Sequence, residues 1–174
     1  MMNDYPWDHL VIDDFLPDDE YQKMVGDITT RKDYFRRQPK ERVSEQGHSA
    51  QSDWINIAKR NNYIDQSFLE KHFGVTRPYG RLETTYNINY NKANFHEKIH
   101  IESEKKILIA VCYLHPEESS GTILHYPDKS VACEVEWKPN RCLIFAHQTD
   151  VTWHSYIVPD EDRMTFNTHL VLKR

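Results

Sequence analysis

The sequence predicts an α+β protein with helices first and a β-sandwich or jelly roll after them. Three observations carry this reading. Helix-spaced apolar residues dominate the stretch before Gly80. Beyond it the apolar spacing switches to period two. Turn residues then cut the remainder into roughly seven or eight short strands. Helices ahead of a run of strands place the helices against one face of one sheet. At 174 residues the chain is read as one domain. Residues 1–80 form an N-terminal strand with supporting helices, and residues 81–174 form the β core.

The elements follow in order. Leu10-Val11-Ile12-Asp13-Asp14-Phe15-Leu16 reads as a short strand running into a turn. Pro17-Asp18-Asp19-Glu20 is a helix start: the proline suits a first turn, and the acids face the positive end of the helix dipole. Tyr21, Met24, Val25 and Ile28 then recur at i, i+3, i+4, i+7, one helical face. Residues 31–50 are rich in charge, Gln and Ser and read as a flexible loop or lid. Short helices are expected over Gln51–Lys59 and Asp65–Phe73, parted by Asn61-Asn62. Leu82, Thr84, Tyr86, Ile88 and Tyr90 alternate as in a strand. Further strands are expected over Lys106–Leu114, Thr122–Tyr126, Val131–Trp137, Arg141–His147, Trp153–Val158 and Met164–Leu172. Gly- and Pro-containing turns such as Ser119-Ser120-Gly121 and Lys138-Pro139-Asn140 separate them.

Composition narrows the function classes. The formal charge is −5, which gives no general attraction to phosphate backbones, so a nucleic-acid partner is disfavoured. No apolar run reaches the ~18 residues of a membrane span. The start Met1-Met2-Asn3-Asp4-Tyr5 lacks a basic segment followed by an apolar core, so no secretory signal is expected. Cys112, Cys133 and Cys142 are odd in number and lie in apolar runs, which argues for free thiols in a reducing, cytoplasmic setting.

Ten histidines are present. His9, His48 and His72 sit among polar or helical residues and are expected at the surface. His115 and His125 fall at strand edges, and His147 and His169 read as satisfied core groups. His100, Glu102 and His154 form a set. Between Phe95 and Glu102 the apolar side chains Phe95, Ile99 and Ile101 alternate with His96, Lys98, His100 and Glu102. His100 and Glu102 therefore point the same way, ~6.5 Å apart along a strand. They can converge on one ion where that strand ends and bends. His154 opens a later strand and supplies a third donor. Two histidines and one carboxylate make the facial triad of non-haem iron(II) oxygenases, with positions left open for co-substrate and oxygen. Arg163 and Thr165 begin the following strand and would clamp a distal carboxylate in the same cavity. Trp153, beside His154, reads equally as a substrate wall or a core aromatic.

From Arg81 to Leu172 the chain resembles the 2-oxoglutarate- and iron(II)-dependent dioxygenases of the prolyl-4-hydroxylase type. The residues that carry the resemblance are Tyr90 with His100-Ile101-Glu102, the run Lys106–Leu114, Gly121-Thr122, the run Trp137–Phe145, and His154 with Arg163-Met164-Thr165. Val11-Ile12-Asp13-Asp14-Phe15-Leu16 and its helix are similar to that family's N-terminal element. The resemblance implies a double-stranded β-helix, cupin-like, with iron held by His100, Glu102 and His154. It implies that Arg163 and Tyr113 bind the distal carboxylate of 2-oxoglutarate, and that Tyr90 lines the co-substrate pocket. It implies use of O2, with ascorbate as an accessory reductant. The implied reaction couples decarboxylation of 2-oxoglutarate to succinate with hydroxylation of a prolyl residue in a protein or peptide, or of a small molecule. Two departures stand out: Glu102 where the family commonly carries Asp, and Asn140 where glycine is common. Some family members use Glu at the first position, and Asn tolerates the left-handed backbone the second requires.

Two other function classes compete. His96-Glu97-Lys98-Ile99-His100 spells H-E-x-x-H, which on a helix is the zinc site of a metalloprotease with Glu97 as base. The spacing around it is strand-like, and that reading leaves His154, Arg163 and Tyr113 without roles. The remaining alternative is a catalytically inactive jelly-roll binding module.

Overall fold

A computed structural model describes residues 2–36, 42–44, 53–61, 64–75 and 81–173. The first part contains β1 (Met2–Asn3), β2 (His9–Ile12), α1 (Asp18–Thr30), α2 (Lys32–Arg36), β3 (Arg42–Ser44), α3 (Asp53–Arg60) and α4 (Gln66–Phe73). The second contains β4 (Arg81–Asn91), β5 (His96–His100), β6 (Lys106–His115) and β7 (Thr122–His125). It continues with β8 (Val131–Val135), β9 (Cys142–Ala146), β10 (His154–Ile157) and β11 (Arg163–Lys173).

The helices begin and end where their sequences dictate. Pro17 caps α1, Asp18, Asp19 and Glu20 fill its first turn, and the predicted face is buried at Tyr21, Met24 and Ile28. The Asp65 side chain accepts from Phe68 N at 2.8 Å to start α4, and Gly74, at φ 63°, ends it with a bond to Glu70 O. The stretch 31–50, expected as a flexible loop, carries α2 and β3, with residues 37–41 and 45–50 outside the described residues.

Among the described residues the strands pair antiparallel into two sheets. One holds seven strands in the order β1-β2-β9-β6-β11-β4-β3, the other four in the order β5-β10-β7-β8. Period-two alternation sorts the side chains of the larger sheet onto two faces. Leu108, Ala110, Cys112 and Leu114 of β6, with Cys142, Ile144 and Ala146 of β9, pack with the apolar faces of α1, α3 and α4. Met164, Phe166 and Leu170 of β11, and Tyr86, Ile88 and Tyr90 of β4, join the same cluster. The alternate residues Ile109, Tyr113, Leu143 and Phe145 turn the other way and pack against Leu124 and Val135 of the smaller sheet. The helices therefore cover one face of the large sheet, and the small sheet covers the other. Close approach of β7 and β8 requires Gly121, where a Cβ would fall 1.9 Å from Val135 O.

The N-terminal element is stitched to the turn before β9. Asp13 takes Arg141 at 2.6 Å and Lys138 at 2.9 Å, and these cations hold its carboxyl down to about 2. Asn140, at φ 61°, occupies the left-handed region that suits glycine, and its side chain does what glycine's cannot. Its amide accepts from Leu16 N at 2.9 Å and donates to Leu16 O at 2.8 Å. His9, expected at the surface, is buried, with Nδ1 bonded to Trp7 O at 2.9 Å. His48 lies outside the described residues. Cys112, Cys133 and Cys142 are free thiols, and no helix among the described residues is long and apolar enough to cross a membrane.

Candidate functional site

The inner faces of β4 and β11 are polar where their outer faces are apolar. Asn87, Asn89 and Asn91 alternate with the core tyrosines and Ile88, and β11 offers Arg163, Thr165, Asn167 and His169 on the same side. The opposing wall comes from β5 and β10 of the small sheet. These surfaces enclose a cavity lined by His100, Glu102 and His154, by Arg163, Thr165, Asn167 and Asn89, and by Glu97 and Tyr156, with Val111, Thr122, Leu143 and Phe145 completing it.

Donor atoms of His100, Glu102 and His154 all lie within 4.8 Å of one another. β5 ends at His100, so Glu102 sits just past the strand, where the chain has left the sheet and can converge with the imidazole. His154 is the direct cross-strand partner of His100, and the two rings are 4.3 Å apart between centroids. In both histidines Nδ1 meets a backbone carbonyl, Lys98 O at 2.8 Å and Thr152 O at 3.0 Å. A carbonyl only accepts, so Nδ1 carries a proton in both rings and Nε2 is the nitrogen left to face a metal. Burial, with His100 alongside, lowers the His154 pKa to about 4, which keeps the imidazole neutral and ready to ligate. Burial raises the Glu102 pKa, but the Lys106 ammonium, 2.5 Å from Oε2, outweighs it and brings the value to about 2. A carboxylate has two oxygens, so this contact leaves one for an ion. Two imidazole nitrogens and one anionic oxygen suit a divalent first-row metal such as iron(II).

Arg163 lies behind this set. It is 2 % exposed, and its Nε and Nη2 are buried without a hydrogen-bond partner among the described residues. Aromatic rings flank the guanidinium: Tyr156 at 4.2 Å, Trp137 at 5.0 Å and Tyr113 at 5.5 Å to the ring centroids. Burial lowers its pKa, yet an arginine stays charged. A buried cation with unused donors in a cavity can receive an anion. Thr165 shares the lining. Tyr113 stacks on Trp137 and donates to Thr122 Oγ1 at 2.8 Å, and burial pushes its hydroxyl up to about 12.

Tyr90 departs from expectation. It lies on the opposite face of β4 in the helix-side core, its hydroxyl donating to Asp162, and it does not line the cavity. The strand's own alternation is the reason: Asn89 and Asn91 take the cavity side. Trp153 likewise is outside the lining, with Lys129 Nζ 4.3 Å over its ring.

The segment around His96 departs in register. His154 opposes His100 and Tyr156 opposes Glu97, so β5 spends an extra residue there, a bulge. The extra residue turns Glu97 into the cavity beside His100, while His96 and Lys98, expected on the same face as His100, are exposed. It also disposes of the zinc-protease geometry. His96 and His100 lie in one extended strand, about 13 Å apart along it, too far to share an ion. Tyr156, Asn89 and Asn167 are cavity residues that the sequence does not single out, and Glu97 enters it only as the base of the zinc-protease string. The Asn-x-Asn-x-Asn alternation of β4 was the available signal for the polar wall.

No protein-family model matches the chain, and no curated protein matches it. Solved structures do. A Pseudomonas putida prolyl-4-hydroxylase aligns over 95% of this chain and 88% of its own, with TM-score 0.66 and 12% identity. The viral collagen prolyl hydroxylase of Paramecium Bursaria Chlorella virus-1, in its 2-oxoglutarate complex, aligns over 95% and 96%, with TM-score 0.67 and 12% identity. A Trichoplax adhaerens prolyl hydroxylase, in complex with a peptide fragment of the hypoxia inducible factor oxygen degradation domain, aligns over 94% and 83%, with TM-score 0.71 and 12% identity. The resemblance read from the sequence thus extends to the whole architecture: the chain has the fold of the prolyl-4-hydroxylases.

Proposed function

We propose that the protein is a 2-oxoglutarate- and iron(II)-dependent dioxygenase, a single jelly-roll domain of the double-stranded β-helix type. His100, Glu102 and His154 hold the iron. Arg163, with Thr165 and Tyr113 near it, receives the distal carboxylate of 2-oxoglutarate. The observation that carries the reading is the buried guanidinium with unused donors in the same cavity as a two-histidine, one-carboxylate cluster. Either feature alone has structural explanations. Together they match a metal and a dianionic co-substrate.

Bound iron with 2-oxoglutarate and O2 supplies the oxidising power to hydroxylate a C–H bond, with succinate as co-product. The chain supplies the rest. The Lys98 and Thr152 carbonyls fix the imidazole tautomers and aim Nε2 inward. Lys106 orients Glu102 from outside. Val111, Leu143 and Phe145 wall the cavity with apolar surface and limit water near the reacting centre. The substrate proposed first is a prolyl residue of a protein or peptide, on the analogy of fold, with a small molecule as the second choice.

The test is succinate formation from 2-oxoglutarate in air with iron(II), ascorbate and a proline-containing peptide. Wild type is expected to form succinate and His154→Ala none. Equal succinate formation by His154→Ala overturns the assignment. A protein that binds both ligands but never turns them over is the inactive binding module instead.

A further inference from the structure

Glu97 is the acid of the H-E-x-x-H string, and the triad and the arginine leave it without a task. The bulge in β5 sets it in the cavity lining with His100, Glu102 and Arg163. The two cavity carboxylates differ in one respect. Glu102 has the Lys106 ammonium at 2.5 Å. Glu97 has no cation within ion-pair distance among the described residues; its hydrogen-bond partner is the Tyr156 hydroxyl, 3.4 Å from Oε2. Arg163 does not fill the gap, because Tyr156 takes both neighbours: its ring packs on the guanidinium at 4.2 Å while its hydroxyl reaches Glu97, and Asn91 Oδ1 at 3.2 Å. Among the described residues the cavity therefore offers one cation that lacks an anion and one carboxylate that lacks a cation, held apart by one tyrosine. A distal carboxylate answers the first. Nothing in the co-substrate answers the second, since 2-oxoglutarate and Glu97 are both negative and repel.

We propose that Glu97 anchors a guanidinium on the substrate, and so determines specificity. This rests on the dioxygenase reading above and narrows its substrate class. The positive group sits either on a free amino acid or on the side chain of a peptide, and the neutral wall of Asn89 and Asn167 accepts the polar atoms that accompany it.

The test uses full-length protein loaded with Mn(II), which supports no turnover, and 2-oxoglutarate. Calorimetric titrations compare L-arginine with its uncharged isostere L-citrulline in one arm, and Gly-Arg-Gly with Gly-citrulline-Gly in the other. Wild type is expected to prefer the guanidinium member of one arm by about tenfold, the scale of one charge-assisted contact, and the arm identifies the source. Glu97→Gln should erase that preference, Glu97→Asp should restore part of it, and Glu97→Lys should reverse it. Thermal unfolding of each variant verifies the fold. No charge preference by wild type in either arm, or an unchanged preference in Glu97→Gln, overturns the inference. If wild type fails to bind 2-oxoglutarate with Mn(II), the dioxygenase reading itself falls. Binding of 2-oxoglutarate without a charge preference removes the inference alone.

Discussion

Replacing Arg163 by methionine should make the empty protein more stable and the co-substrate much weaker. The side chain is 2 % exposed, and Nε and Nη2 have no acceptor. Burying an uncompensated charge costs several kcal/mol, partly recovered here from the Tyr156, Trp137 and Tyr113 rings. A methionine of similar reach keeps the packing and removes that cost, a gain of about 1–3 kcal/mol. For a chain of this size each kcal/mol moves Tm by roughly 2–4 °C. The opposite sign holds once 2-oxoglutarate is bound. Two charge-assisted hydrogen bonds at about 1.5–3 kcal/mol each correspond to two to four powers of ten in affinity. The assay is thermal unfolding with Mn(II), with and without 2-oxoglutarate, plus a titration for Kd. Arg163→Met should melt higher than wild type without co-substrate and lose the rise that co-substrate confers. If the variant melts several degrees lower when empty and binds 2-oxoglutarate as wild type does, the guanidinium is a structural group and the reasoning is wrong.

Two predictions concern the fold and its ionisation. Asn140→Ala loses both bonds to Leu16 and places a Cβ-bearing residue without local amide support at φ 61°, so it should cost about 2–3 kcal/mol in denaturant unfolding. Asn140→Gly keeps the backbone and should cost about 1 kcal/mol less. Acidification should destabilise the metal-free protein in two stages. His154 binds a proton unfolded near pH 6.5 but folded only near 4, so stability drops as pH falls through that window, on the order of 2–4 kcal/mol in all. Glu102 has a folded pKa of about 2 against 4.5, so its contribution is full above pH 4.5 and fades toward pH 2. Chemical denaturation across pH 2–8 reads both stages, and a flat profile between pH 6.5 and 4 contradicts the buried neutral His154.

The grouping of the candidate residues in one cavity was legible where chemistry and periodicity agreed. His100, Glu102, His154 and Arg163 are residue types with few other reasons to recur at such spacings, and the strands that carry them alternate cleanly. The helix-side core was legible for the same reason, from Tyr21, Met24 and Ile28 on α1. The errors have local causes. The β5 bulge is set by pairing with β10, which no property of residues 96–100 encodes, so Glu97 and not His96 or Lys98 joined His100 at the cavity. Tyr90 was assigned by resemblance against its own alternation with Asn89 and Asn91. His9 is buried because β2 packs beside β9, a long-range contact invisible in a polar N-terminal context. The charged stretch after α1 contains β3 because β4 offers it an edge to pair with.

In the proposed enzyme one divalent metal and one 2-oxoglutarate meet between His100, Glu102, His154 and Arg163. An anaerobic titration of wild type with iron(II) and then 2-oxoglutarate tests it, read by the visible charge-transfer absorption of an iron-bound 2-oxo acid. The band should saturate at one equivalent of each, be absent in His154→Ala, and in Arg163→Met require 2-oxoglutarate at concentrations two or more powers of ten higher. Tight iron binding that survives His154→Ala, or no band in wild type at any 2-oxoglutarate concentration, contradicts it.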